Sequence, residues 1–167
     1  MKLILENWRQ YNERQESEDE GISPPDVLYH ATAPTRLASI MSAGLGQGES
    51  KFQGNIGQAG VSTTSDIDVL AGGDFGNLIL VLDTSKMGGE YKFIPTDYWG
   101  DDREKEIRVM PKDDASAIIS PNVISKLIFI SPKLPRFEIK SLLTKYNIPI
   151  ESLWRGETRT YDMSDSQ

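Results

Sequence analysis

Apolar positions in this chain follow two different periods. Helical spacing appears in four places. Residues 2–15 carry Leu3, Ile4, Trp8 and Tyr11 on one side, which predicts a short amphipathic helix that either packs as a lid or docks another protein. Pro34-Thr35 opens a second helix with Leu37, Ile40, Met41 and Leu45 on one face, and Gly44 suits a left-handed cap. Residues 66–71 read as a short helix capped by Ser65 or Asp66, and residues 136–147 as a C-terminal helix. Between them lie strand patterns at 27–30, 90–93, 117–119 and 123–130, and an unbroken apolar run at 77–83 that suits a strand buried on both faces. Residues 104–109 alternate, with Lys105, Ile107 and Val109 on one side and Glu104, Glu106 and Arg108 on the other. Six or seven strands with few long helices predict an α+β domain rather than a parallel βαβ array.

Punctuation divides the chain further. Residues 16–20 form an acidic linker closed by Pro24-Pro25, so 1–20 reads as an N-terminal helix plus linker and 21–132 as the core. Residues 133–157 read as a helical extension and 158–167 as a frayed, disordered tail. Residues 46–60 hold five glycines and almost no aliphatics, the composition of a functional loop.

Composition narrows the chemistry. Hydrophobic residues make up 38% and charged residues 26%, with a formal net charge of −7 and a pI near 4.8. Such a surface disfavours tracking along nucleic acid, whose phosphates must be neutralised, although one local basic pocket would survive the argument. With no cysteine and one histidine, disulfides, thiol nucleophiles and thiolate metal sites are excluded, and a zinc site would need nearly all its ligands from carboxylates. No metal is therefore expected. No apolar run approaches the roughly 20 residues of a membrane span, and the apolar start is cut short by Glu6, unlike a secretory leader. The expectation is a soluble, cytoplasmic protein without membrane contact.

Three groups remain as candidates for chemistry. His30 stands in Leu28-Tyr29-His30-Ala31-Thr32, at the end of the first core strand. A Ser/Thr run follows as Val61-Ser62-Thr63-Thr64-Ser65-Asp66. Glu104 and Glu106 flank Lys105, and strand alternation puts both carboxylates on one face, where each raises the other's pKa unless a cation such as Arg103 or Arg108 relieves them. Taken singly, these groups fit a hydrogen-bonded histidine at a strand end and an ordinary solvated strand face. Gly46-Gln47-Gly48 lacks the spacing of a dinucleotide fingerprint and follows a helix, and no phosphate-binding GxxxxGK occurs.

Taken in order, the groups resemble the motifs of the ADP-ribosyltransferase superfamily, the NAD-using fold of diphtheria-type and cholera-type toxins and of poly-ADP-ribose polymerases. Leu28 to Thr32 resembles the first motif, 35–45 the helix after it with its Gly-Leu ending, 60–66 the second motif and 103–109 the third. The resemblance spans roughly residues 27–130 and implies a split antiparallel/mixed β-sheet core with short flanking helices. It implies NAD as substrate and Glu106 as the catalytic carboxylate, with Glu104 as an accessory residue orienting an acceptor protein's side chain, arginine by charge. It implies that His30 binds a ribose hydroxyl beside Thr32, that the backbone of Ala31 holds the nicotinamide amide, and that Ser62, Thr63 and Ser65 complete the cofactor-binding set. Two positions depart from the pattern. Arginine-directed members start from an arginine where this chain has His30, and Ser62 stands where His-type members carry a nicotinamide-stacking tyrosine, leaving Tyr98, Trp99 or Phe52 as aromatic candidates.

Other readings share the fold. An NAD glycohydrolase would use the same glutamate with water as acceptor. An RNA 2′-phosphotransferase would need several cations, and residues 27–75 hold only Arg36 and Lys51. A non-catalytic binding or structural module would keep the fold for protein contact. The start Met1-Lys2-Leu3-Ile4-Leu5-Glu6-Asn7-Trp8-Arg9 resembles those of phage gene products, which implies a phage accessory protein with targets in the host cytoplasm.

Overall fold

The computed structural model describes residues 21–46, 60–72, 75–96, 105–112, 119–132, 134 and 136–162. The expected helix over 2–15, the acidic linker, most of the glycine loop, and Phe52, Tyr98, Trp99, Arg103 and Glu104 lie outside them. Eight strands form one mixed sheet: β1 (Val27–Thr32), β2 (Val61–Thr64), β3 (Leu78–Asp83), β4 (Tyr91–Thr96), β5 (Glu106–Pro111), β6 (Ile124–Ile130), β7 (Ile150–Trp154) and β8 (Glu157–Tyr161). Their order is β4-β5-β2-β1-β3-β6-β7-β8. Two short helices flank it, α1 (Leu37–Ala43) and α2 (Arg136–Tyr146). The protein is thus α+β, as its hydrophobic periods predict.

β3 anchors the structure. Leu78, Leu80 and Leu82 enter the main core with Leu28, Leu127 and Ile150, while Ile79 and Val81 join a smaller cluster on the opposite face. An unbroken apolar strand is what two covered faces require. α1 lays Leu37 and Ile40 into the main core, Met41 packs beside them, and Gly44 closes it with its N–H on the Ile40 carbonyl. A 3₁₀ turn, Pro34–Arg36, leads into it, with Pro34 at the position where a missing N–H costs nothing. α2 contributes Ile139 and Leu143 and carries the chain across to β7, which pairs parallel with β6.

Two expectations need correction at the C-terminal end. Residues 150–161, read as the close of a helical extension and the start of a frayed tail, form β7 and β8. The hairpin turns at Arg155 and Gly156, both with positive φ (51° and 80°), the backbone of a two-residue turn matched to strand twist. Tyr161 at its end is buried, and its hydroxyl accepts the Leu134 N–H at 3.3 Å and shares a 3.2 Å hydrogen bond with the Ser152 hydroxyl. The third helix also differs. Residues 67–69 make a single 3₁₀ turn, and of its two candidate caps Asp66 is the one used, accepting the Asp68 N–H at 3.0 Å. Of the strand expected over 117–119, residues 117 and 118 lie outside the described residues, and Ile119 pairs with Leu45 in a single bridge.

The sheet expected as split is continuous but narrows at one seam. β1 registers with β3 along its whole length, and β2 registers with β5 from Val61↔Val109 to Thr64↔Glu106. β1 and β2 register only at Tyr29↔Thr64. Where two strands part, neither face of the gap is filled by ladder hydrogen bonds, and a cleft opens. No described helix is long and apolar enough to cross a membrane.

Candidate active site

Immediately past the Tyr29↔Thr64 pair, β1 and β2 diverge, and the residues on either side of the parting line a cavity of about 190 Å³. His30 and Ala31 come from β1, Ser62, Thr63 and Thr64 from β2, and Glu106 from the start of β5. Val69 and Leu70 supply an apolar wall, and Phe75 closes one side. Residues separated by 76 positions in sequence meet here because β1 and β5 both pair with β2.

His30 spans the gap. Its Nδ1 lies 2.8 Å from the Ser62 carbonyl oxygen, and a carbonyl only accepts, so Nδ1 carries the proton. Burial pushes the imidazole below its usual pKa. The Ser62 carbonyl opposes that by favouring the protonated ring, and the nearby Arg36 charge lowers it again. At neutral pH the ring is therefore neutral, with Nε2 left as an acceptor. A neutral acceptor of that kind suits a ligand hydroxyl.

Glu106 sits opposite Thr64 and Arg108 opposite Ser62 on the β2–β5 ladder. Glu106 is only 8% exposed, and its Oε1 accepts from the Arg108 guanidinium at 3.0 Å. Of the two cations expected to relieve the glutamate, Arg108 does so. A carboxylate this desolvated is retained at a cost that its partner must offset. The Thr63 hydroxyl donates to the Ile107 carbonyl at 2.5 Å, which pins β2 to β5 beside the carboxylate. Thr63 thus lines the cavity with its hydroxyl already engaged.

The strand alternation around Glu106 holds from that residue onward. Ile107 and Val109 enter the core, but Lys105 does not share their face. The strand begins at Glu106, and Lys105 takes a left-handed φ of +42°, with its ammonium 2.7 Å from the Asp66 carboxylate. That contact holds the Asp66 carboxyl below its usual pKa, helped by the Asp68 N–H. The turn after β2 and the residue before Glu106 are thereby tied together.

A second compartment of about 550 Å³ adjoins the first and shares His30, Ala31 and Phe75 with it. Its remaining lining includes Thr32, Pro34, Arg36, Gly76 and Asn77. Gly76 makes it possible: at φ +134° a Cβ there would collide with the Thr32 carbonyl, so only glycine lets this segment close on the end of β1.

Of the residues expected from sequence, His30, Ala31, Ser62, Thr63 and Glu106 meet in one cavity, and Thr32 lines the neighbouring one. Ser65 lines neither; it is exposed, because β2 ends at Thr64 and the chain turns into the Asp66 cap. Glu104 is outside the described residues, so of the expected pair of carboxylates only Glu106 is described. Sequence reading missed Phe75, an aromatic 50% exposed at the junction of both compartments. The available signal was an isolated aromatic just after Gly72-Gly73-Asp74, where no core pattern claims it. Among the described residues no group of three or more acidic or histidine side chains gathers as a metal site. Comparison with family models, with curated proteins and with solved structures finds no match to this chain.

Chemically, the cavity offers a neutral hydrogen-bond acceptor, a buried carboxylate, an exposed aromatic face and several backbone and hydroxyl groups. Such a set suits a polar, ring-bearing ligand in which positive charge develops near the carboxylate.

Proposed function

We propose that this protein is an NAD-dependent mono-ADP-ribosyltransferase that modifies a protein side chain. The observation that carries the reading is the meeting of His30 and Glu106 in one cavity at the β1–β2 seam. The order of motifs asks for that meeting, and the β5-β2-β1 strand order is what brings the two residues within reach.

In this reading Glu106 faces the ribose bonded to nicotinamide. The C1′–N bond breaks with its electron pair leaving on nicotinamide, and C1′ gains oxocarbenium character, as in glycoside cleavage. The Glu106 carboxylate stabilises charge that is largest in the transition state. The acceptor's nucleophilic atom then bonds to C1′ and releases its proton. His30 Nε2 accepts a hydrogen bond from a ribose hydroxyl, and its fixed tautomer makes that role available without protonation. The Ala31 backbone takes the nicotinamide amide, since a small side chain permits close approach. Phe75 supplies the flat apolar face that Ser62 does not. Arg108 offsets the Glu106 charge while the site is free of ligand.

The test is incubation with labelled NAD and candidate acceptor proteins, beside a Glu106→Gln variant. Label transferred by the parent and not by the variant supports transfer. Free nicotinamide without transferred label indicates hydrolysis by the same glutamate. Absence of NAD binding and turnover removes both and leaves a binding module.

A further inference from the structure

We infer that the end of the sheet bearing Phe75, Phe137 and Trp154 is a docking surface for a separate polypeptide, which on the NAD reading is the acceptor protein. The surface stands on the fold; only the partner's role as acceptor rests on the proposed activity.

Exposed apolar side chains are unevenly placed. Among the described residues the large ones are Ile22, Phe75, Phe137 and Trp154. Ile22 bridges to Phe93 on β4, at one edge of the sheet. The other three gather at one end of the strands. The Ile130 N–H donates to the Asn77 carbonyl, two residues after Phe75, and the Ser131 N–H donates to the Leu153 carbonyl, just before Trp154. β6 and β7 are parallel, so α2 must carry the chain back along the sheet. Its second residue, Phe137, therefore stays at the end where β6 finishes. β3 and β7 are two strand spacings apart, about 10 Å, so one partner surface can cover all three rings.

The residue types are those of interface anchors. Phe137 is 73% exposed and Trp154 42%, and the Arg155 guanidinium lies 5.9 Å from the centre of the Trp154 ring. Tryptophan and arginine are enriched among the residues that carry binding energy between proteins.

Two arguments name the occupant. Phe75 is at once the near end of this surface and a wall of the cavity that holds His30 and Glu106, so a chain lying across the aromatics runs to the cavity mouth. Size argues against a second copy. Three rings at these exposures offer on the order of 300 Å², whereas a stable complex covers about 800 Å² on each partner. Such an area suits a partner that binds, reacts and leaves. Glu138 and Glu157 are also exposed, in the first turn of α2 and at the start of β8, and their charge opposes an anionic lipid surface.

The experiment pans a random peptide display library on the full-length protein and titrates the enriched peptides against the parent, Phe137→Ala, Trp154→Ala and Ile22→Ala. Neither aromatic belongs to a core cluster, so both variants are expected to fold, and melting curves check this. Enriched peptides bind the parent, lose about tenfold or more in affinity for Phe137→Ala and for Trp154→Ala, and bind Ile22→Ala as they bind the parent. No enrichment, or affinity indifferent to both aromatic substitutions, overturns the surface. Sedimentation of the protein alone and with phosphatidylcholine–phosphatidylglycerol vesicles covers the other occupants. A parent dimer that Trp154→Ala dissociates, or vesicle binding that it abolishes, overturns the assignment to a separate polypeptide. Aromatic-dependent peptide binding without NAD turnover retains the surface and overturns the NAD reading; NAD turnover without such binding does the reverse.

Discussion

His30 Nδ1 donates to the Ser62 carbonyl across 2.8 Å, joining β1 to β2 at the point where their ladder has already ended. A side chain thus replaces a backbone bridge, and the replacement turns the free ring nitrogen into the cavity. The hydrogen bond fixes the tautomer, and burial keeps the ring neutral.

That combination makes stability and binding sensitive to mild acid. The folded-state pKa of His30 lies below its ordinary 6.5, so the unfolded chain binds the proton first. Stability therefore falls as pH drops through the window between 6.5 and the lower folded value, and is fully retained above it. Melting temperature followed from pH 7.5 to 5.5 is expected to decline in the parent, with a smaller decline in His30→Gln. Identical pH profiles would contradict the neutral, part-buried ring.

Phe75 is half exposed and packs into no core cluster, so removing it should leave the fold alone. Phe75→Ala is expected to keep its melting temperature while losing about 0.5–1.5 kcal/mol of NAD affinity, roughly two- to tenfold, through lost ring contact. A titration showing unchanged affinity would remove Phe75 from the site.

The Asp66–Lys105 ion pair fixes the residue preceding Glu106 in a left-handed conformation. Asp66→Asn is expected to lower kcat with little change in KM, because it loosens the carboxylate's position rather than the binding surface. The double exchange Asp66→Lys with Lys105→Asp should recover part of the rate. A loss confined to KM would point to direct substrate contact instead.

Much of this arrangement was legible in the chain. β3 announced itself through five consecutive buried aliphatics, and β5 through its alternation from Glu106 to Val109. His30, Ser62 and Glu106 were picked out as a set by the order of their short motifs, and one cavity brings them together. What escaped depended on backbone geometry. Lys105 leaves its strand through a positive φ that no residue type announces, since lysine rarely adopts it. β8 was missed because a Glu-Thr-Arg-Thr run has no apolar alternation of its own and is recruited by the turn at Arg155-Gly156 and by burial of Tyr161. Phe75 joins the cavity beside Gly76, whose close approach to Thr32 is a tertiary fact.

Gly76 offers a test of that closeness. Gly76→Ala places a Cβ against the Thr32 backbone at a φ that alanine rarely takes, which should cost about 1–3 kcal/mol. Chemical denaturation measures the cost, and ADP-ribose affinity should fall with it as the compartment wall is displaced. Full stability in the alanine variant would mean that the segment sits elsewhere.

The central claim is that Glu106 acts on the glycosidic bond of NAD in a cavity organised by His30. Its most direct measurement is nicotinamide release and label transfer from NAD by the parent and by Glu106→Gln, at matched NAD saturation. The parent is expected to turn NAD over, and the variant to bind it with similar affinity while losing at least about 100-fold in kcat. Turnover by Glu106→Gln at the parent's rate would contradict the claim.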